Sequence, residues 1–255
     1  FLQAQLSNDI SKLGSSKIQI NAYCQHQGKI IGLFWVMRYQ NGFLISFPNE
    51  LLEKIKSRLK MFVLMSDVII EDASSLFSQI GLINESSPSE LRINNNLALL
   101  IEDYTNKTID LPENEITWNK ACFDSCIPEV FIETSEKLVP QMLNLDIDEV
   151  GVSFSKGCYP GQEVVARLHY LGSAKRRLFS FKADQEIQVG DSLYCSTSKT
   201  ALARGDRYKG SGIIVSKVKY NSLFFCLATL DVDLRDEKIT LNNEHGPILE
   251  RINDE

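Results

Sequence analysis

Apolar residues recur at helical spacing at the start of the chain and then alternate. Phe1–Leu13 predicts a helix. Lys17–Tyr23 and Lys29–Tyr39 predict two strands joined by the His26-Gln27-Gly28 turn, and Phe43–Phe47 predicts a third. Pro48 opens an amphipathic helix reaching about Met61, with Leu51, Leu52, Ile55 and Leu59 on one face. Asp67–Ile70 predicts a strand, Leu76–Ile80 a short helix and Leu97–Ile101 a strand. Loops separate them at Ser86-Ser87-Pro88-Ser89 and Asn94-Asn95-Asn96. Glu113–Cys122 predicts a second substantial helix, entered through Pro112. Val150–Phe154 is strand-like. Glu163–Tyr170 predicts a helix, with Val164, Val165, Leu168 and Leu171 on its buried face. Short β-like runs then alternate with turns: Leu178–Phe181, Ser192–Cys195, Gly212–Val218 and Leu223–Leu230. That is the rhythm of a small antiparallel barrel or sandwich. Mixed α and β upstream with all-β downstream predicts an α+β multidomain plan.

The 255 residues are 44% hydrophobic and 24% charged, ordinary globular usage, and suffice for one elaborate unit or two to three small domains. No apolar run is long enough to span a bilayer; the most apolar, Ile30–Met37, is closed by Arg38 and Tyr39. No export segment precedes it. The formal charge of −6 argues against broad nonspecific binding of nucleic acid. The one basic cluster, Lys175-Arg176-Arg177 with Arg167 and His169 upstream, reads as a solvated edge or as a local anion-binding patch. Six scattered cysteines (Cys24, Cys122, Cys126, Cys158, Cys195 and Cys226) fit reduced thiols in a cytosol better than a disulfide framework. Cys122 and Cys126 share a helical face, but His26, His169 and His245 form no ligand-like pattern, so core thiols and no metal site are expected.

Candidate chemistry concentrates in Lys156-Gly157-Cys158-Tyr159-Pro160-Gly161-Gln162-Glu163, which joins the strand-like run to the helix that follows. Gly157 and Gly161 permit backbone conformations that a Cβ forbids. Pro160 suits a first helical turn. The helix start and Lys156 favour a thiolate at Cys158. Tyr159 and Gln162 are candidates to hydrogen-bond a ligand or partner. Glu163 is expected to cap the helix rather than act as a base, and a Cys158–His169 nucleophile pair remains open. For an isolated cysteine an ordinary tight turn with a half-buried thiol is the default reading, and the two glycines, proline, lysine and helix start around this one count against it. Trp118 reads first as core packing, as does Trp35.

The loop resembles the hallmark of the YgfZ family of folate-binding proteins, a Lys-Gly-Cys-Tyr-x-Gly-Gln-Glu sequence. Val139-Pro140-Gln141 and Asn144-Leu145 resemble the family's lead-in, and Val165-Ala166-Arg167 and Ala174-Lys175-Arg176-Arg177 its follow-on. Phe1–Ile10 resembles its first helix, and the Cys24 to Lys29 turn is similar too. The resemblance implies the fold of the aminomethyltransferase T-protein of the glycine cleavage system: interleaved α+β domains and a C-terminal antiparallel β-barrel around a folate cavity. It implies a first α+β domain over residues 1–42 and 111–171, a shortened second one over 43–110, and the barrel over 172–255. Family members carry a strand and a turn before the first helix, so an edge strand is expected to be missing ahead of Phe1. A second folate-contacting tryptophan of the family lies in that same stretch.

The resemblance also implies that Trp118 contacts tetrahydrofolate or a related reduced folate, and that Cys158 is a functional thiol. Two departures stand out. Asp124-Ser125-Cys126 replaces a Glu-Ala-Gly-like run, and Lys29–Phe34 carries no carboxylate where T-proteins manage proton transfer. Three readings follow. The first is a cytoplasmic, monomeric folate-binding accessory protein supporting iron–sulfur enzymes that modify tRNA, not expected to be an enzyme in its own right and making no strong direct contact with nucleic acid. The second is a tetrahydrofolate-dependent aminomethyltransferase-like one-carbon transferase. The third is a thiol-active or RNA-interacting module without folate.

Overall fold

The computed structural model describes residues 1–64, 66–87, 89–103, 114–199 and 210–252; Pro88, Pro112 and Glu113, named above, lie outside them. The strands β1 (Gln19–Cys24) and β2 (Ile30–Tyr39) pair antiparallel, and β3 (Gly42–Ser46) adds to the other edge of β2. Burial of β2 is continuous from Ile30 through Met37, so both its faces are covered and its sequence shows no alternation. The residues 43–46 of β3 fall within the range assigned to the second domain, yet they pair with β2.

A 3-10 turn after Pro48 leads into α1 (Leu52–Lys60), whose Ile55 and Leu59 are buried. A second sheet follows, in the order β4 (Phe77–Ile83), β6 (Leu97–Asp103), β5 (Leu91–Arg92). The helix α2 (Glu115–Asp124) starts where the Asn114 side chain accepts a hydrogen bond from the Thr117 amide. The helix α3 (Gln162–Leu171) precedes the barrel. Six strands close it: β7 (Arg176–Ala183), β8 (Ser192–Tyr194), β9 (Gly212–Tyr220), β10 (Leu223–Asp231), β11 (Ile239–Leu241) and β12 (Ile248–Arg251), in the order β10-β7-β12-β11-β8-β9. One core runs from Leu6 through β2 and α1 to Leu227, and a second, with Phe181, Leu193, Ile214 and Leu230, fills the barrel.

Several expectations are corrected. Phe1–Leu13 is not a helix but two 3-10 turns, Leu2–Ala4 and Ile10–Lys12. Between them, Ser7 and Asn8 bond to distant backbone and Asp9 caps the second turn, and such bonds compete with a helix. Leu76–Ile80 is not a helix either. Its residues enter β4, where β6 supplies the ladder partners Gln79↔Ile101 and Gly81↔Leu99, and tertiary pairing overrides local spacing. Asp67–Ile70 is irregular, with Ile69 84% exposed and no partner strand among the described residues. Val150–Phe154 is irregular too, held by the Ser7 and Asn8 side chains and by single backbone bonds rather than by a ladder. On α3 only Val165 is fully buried, and Leu171 is 83% exposed. The strands β11 and β12 are too short to stand out in the sequence.

Candidate functional site

The Cys158 loop is anchored on both flanks. Ahead of the thiol, Lys156 is buried and its Nζ donates to the carbonyls of Gln3 (2.7 Å), Leu6 (2.6 Å) and Asn8 (2.9 Å). Burial pushes its pKa down to about 8, opposed by the Asp9 carboxylate. Behind the thiol, Gly161 takes φ +84° and forms the N-cap of α3. A Cβ there would stand 2.5 Å from the Gln25 carbonyl oxygen and 2.7 Å from the Gly28 Cα, so only glycine fits. The loop is thereby seated on the β1–β2 turn.

Gly157 is different. Its φ is not positive and a Cβ would meet nothing within 4 Å, so the expected conformational need for glycine is absent. Pro160 precedes the N-cap instead of occupying the first turn. Cys158 itself is exposed. Tyr159 is buried, its ring 5.4 Å from the Lys156 Nζ, and burial raises its hydroxyl above the ordinary range. It faces inward rather than toward a ligand in solvent. Glu163 makes no side-chain cap to α3. His169 lies near the far end of α3, about 10 Å of helical rise from Gln162, and stacks on Phe154 at 3.8 Å. Among the described residues no hydrogen bond joins it to Cys158. Sequence reasoning missed Gln141, whose Nε2 donates to the Val165 carbonyl and ties α3 down, and Ser7 and Asn8, which bond the residues leading into the loop.

Trp118 sits elsewhere. A Cβ built on Gly81 would lie 2.2 Å from its Cε3, 2.6 Å from Cζ3 and 2.7 Å from Cδ2. Distances that grow so little toward the two flanking carbons place Gly81 over the ring face, not beyond its edge. The indole also meets Trp35 at 6.2 Å in a T-shaped pair. Trp118 remains half-buried, so part of its surface stays open. The two tryptophans stand some way from the loop: Trp35 is about 17 Å of strand from Ile30, where β2 leaves the turn. Two surface cavities, about 470 and 300 Å³, lie on the barrel beside Lys182 and His245 and on α3 beside Arg167 and Leu168, away from Trp118.

The basic cluster is spent internally. Arg176 donates to Asp231 (2.7 Å) and the Gly210 carbonyl, and Arg177 to Asp146 and the Gln141 carbonyl. Two of its three cations thus tie β7 to neighbouring segments, which argues against the anion-binding patch. Cys126 lies beyond the end of α2, exposed and at φ 51°, whereas Cys122 is half-buried, so the two do not share a helical face.

No protein-family model matches the chain. A Haemophilus influenzae protein is 28% identical over 262 residues, spanning 99% of this chain and 89% of its own length. The tRNA-modifying protein YgfZ of Colwellia psychrerythraea is 30% identical over 238 residues, 81% of this chain and 73% of its own length. The chain belongs to the YgfZ family. A YgfZ tRNA-modifying protein of Aliivibrio fischeri is 24% identical across 93% of this chain and 80% of its own length. The glycine cleavage aminomethyltransferase T of Bartonella henselae shares the fold, with a TM-score of 0.62 over 99% of this chain and 79% of that one at 10% identity. This YgfZ chain therefore has the aminomethyltransferase architecture with a closed antiparallel barrel. At the departure on α2, Asp124 pairs with Lys120 (2.6 Å), whose ammonium lies 4.7 Å from the Phe225 ring centre. That carboxylate serves the contact with the barrel.

Proposed function

We propose that this YgfZ chain binds a reduced folate and supports iron–sulfur enzymes that modify tRNA, with Cys158 as its working thiol. One observation carries the reading: Cys158 is exposed on a loop fixed by Lys156 before it and Gly161 after it. A thiol presented on a preorganised loop meets a partner with little ordering on binding. The name of the curated relatives, tRNA-modifying, supports the same direction.

Trp118 would hold the folate. Gly81 occupies one face of the indole, and the part left open suits stacking by a flat pterin ring. The fit is confined to that surface. Aminomethyl transfer is the less favoured reading, because the Lys29–Phe34 stretch offers no carboxylate for proton transfer.

Three assays test this. Titration with tetrahydrofolate, followed by tryptophan emission, should show weaker binding in Trp118→Ala than in Trp35→Phe; equal affinity removes the folate assignment. Folate-dependent release of ammonia from an aminomethylated lipoyl carrier would move the reading to a transferase. Cys158→Ala should fold yet fail to sustain iron–sulfur-dependent tRNA thiolation in cells lacking their own copy.

A further inference from the structure

We infer that Lys156 is a positioning residue: it straps the segment Gln3–Asn8 onto the residues leading into Cys158, and so holds the thiol's loop in place instead of lending it charge. The inference rests on the reading of Cys158 as the working thiol only for why the loop's position matters.

An ammonium carries three protons, and the three hydrogen bonds to the Gln3, Leu6 and Asn8 carbonyls use them all. The segment that accepts them starts inside the first short turn and runs on toward the second, and carbonyls that no continuous helix or ladder satisfies need partners from elsewhere in the chain. The strap closes a longer seam. Asn8 Nδ2 donates to the Val150 carbonyl (3.0 Å), Ser7 Oγ to the Gly151 carbonyl (2.5 Å), and the Ser153 amide to the Ser7 carbonyl (3.0 Å). Residues 150–156 are thus bonded along the same segment, and Lys156 is the last contact before the thiol. The next anchor is Gly161, wedged against Gln25 and Gly28. Tyr159 lies between the anchors with its ring 5.4 Å from Nζ, which favours the buried charge. A cation whose donors all point into a buried backbone cage acts on the loop through geometry.

Hydrogen–deuterium exchange and site-resolved alkylation of the full chain test the strap. In Lys156→Met, amide exchange should rise in residues 3–8 and in 157–165 together, on the order of tenfold to a hundredfold, as expected for lost bonds to a charged donor. Ser7→Ala cuts the seam away from the thiol and should raise exchange in the same two stretches by less. It decides the matter if Lys156→Met does not fold. Iodoacetamide and iodoacetate separate position from charge: under the strap, Lys156→Met changes both rates at Cys158 by one common factor. Lys156→Arg should restore protection only in part, because a planar guanidinium does not converge on three carbonyls as an ammonium does. The strap is overturned if residues 3–8 loosen while 157–165 stay protected. It is equally overturned if only the iodoacetate rate falls and arginine restores it fully. None of these readouts depends on tRNA modification, so they stand or fall separately from the role of the thiol.

Discussion

Gly161 and Gly28 meet backbone to backbone, both at positive φ (+84° and +73°), and a side chain on either would enter the other's surroundings. A Cβ on Gly28 would also lie 3.1 Å from the Val164 Cβ, on the first turn of α3. The hairpin turn and the cysteine loop are therefore one packed unit. Gly161→Ala should destabilise the protein by about 2 kcal/mol or more, from backbone strain plus collision with Gln25. Gly157→Ala should stay within about 0.5 kcal/mol, since its surroundings are open. Urea unfolding of both variants checks the contrast, and equal losses would show that the loop is not anchored as described.

Gly81→Ala reports on the tryptophan site. The added methyl must push the Trp118 indole away, at a cost of about 1–3 kcal/mol, and should lower tetrahydrofolate affinity along with it. Calorimetric titration showing unchanged affinity in Gly81→Ala and in Trp118→Ala alike would place the folate elsewhere.

The six thiols divide by environment. Cys24, Cys195 and Cys226 are buried, and burial pushes Cys24 and Cys226 up to about 12. Iodoacetamide near neutral pH should label the exposed Cys158 and Cys126 first, Cys122 slowly, and the buried three only after unfolding. Peptide mass spectrometry over time reads this order. Labelling of Cys24 in the native protein at the rate of Cys158 would contradict the packing.

Lys156 sets a pH signature. Its ordinary value of 10.5 falls to about 8 in the folded chain. Between those values the unfolded chain binds more protons than the folded one, so this residue's contribution to stability rises with pH across that window. Cys24 and Cys226 act in the opposite sense above pH 9, because their protons are held more tightly when folded. The stability of wild type relative to Lys156→Met isolates the lysine and should increase from pH 8 to 10. A flat or falling difference would mean that Lys156 keeps an ordinary value despite its burial.

Local chemistry was the legible part. The β2 run, the body of α2 and the longer barrel strands announce themselves because each is decided by a few consecutive residues. In the cysteine loop the αL glycine at 161 is legible for the same reason, whereas the sequence misleads at Gly157 and Pro160. What escaped was decided by distant partners. The carbonyl partners of Lys156 are 148 to 153 residues away, so the sequence suggests a charge beside the thiol where the fold makes a strap. Phe1–Leu13 has helical spacing, but Ser7 and Asn8 spend their side chains on long-range bonds. The Phe77–Ile80 stretch becomes a strand only because β6 lies alongside.

The central claim is most directly tested by thiolated tRNA in cells lacking their own copy and supplied with wild type, Cys158→Ala or Cys126→Ala. Thiolated nucleosides should be quantified by mass spectrometry at matched soluble protein. Wild type and Cys126→Ala, which removes the other exposed thiol, should restore thiolation, and Cys158→Ala should leave it near the level without any copy. Full restoration by Cys158→Ala would mean that the anchored loop serves structure alone.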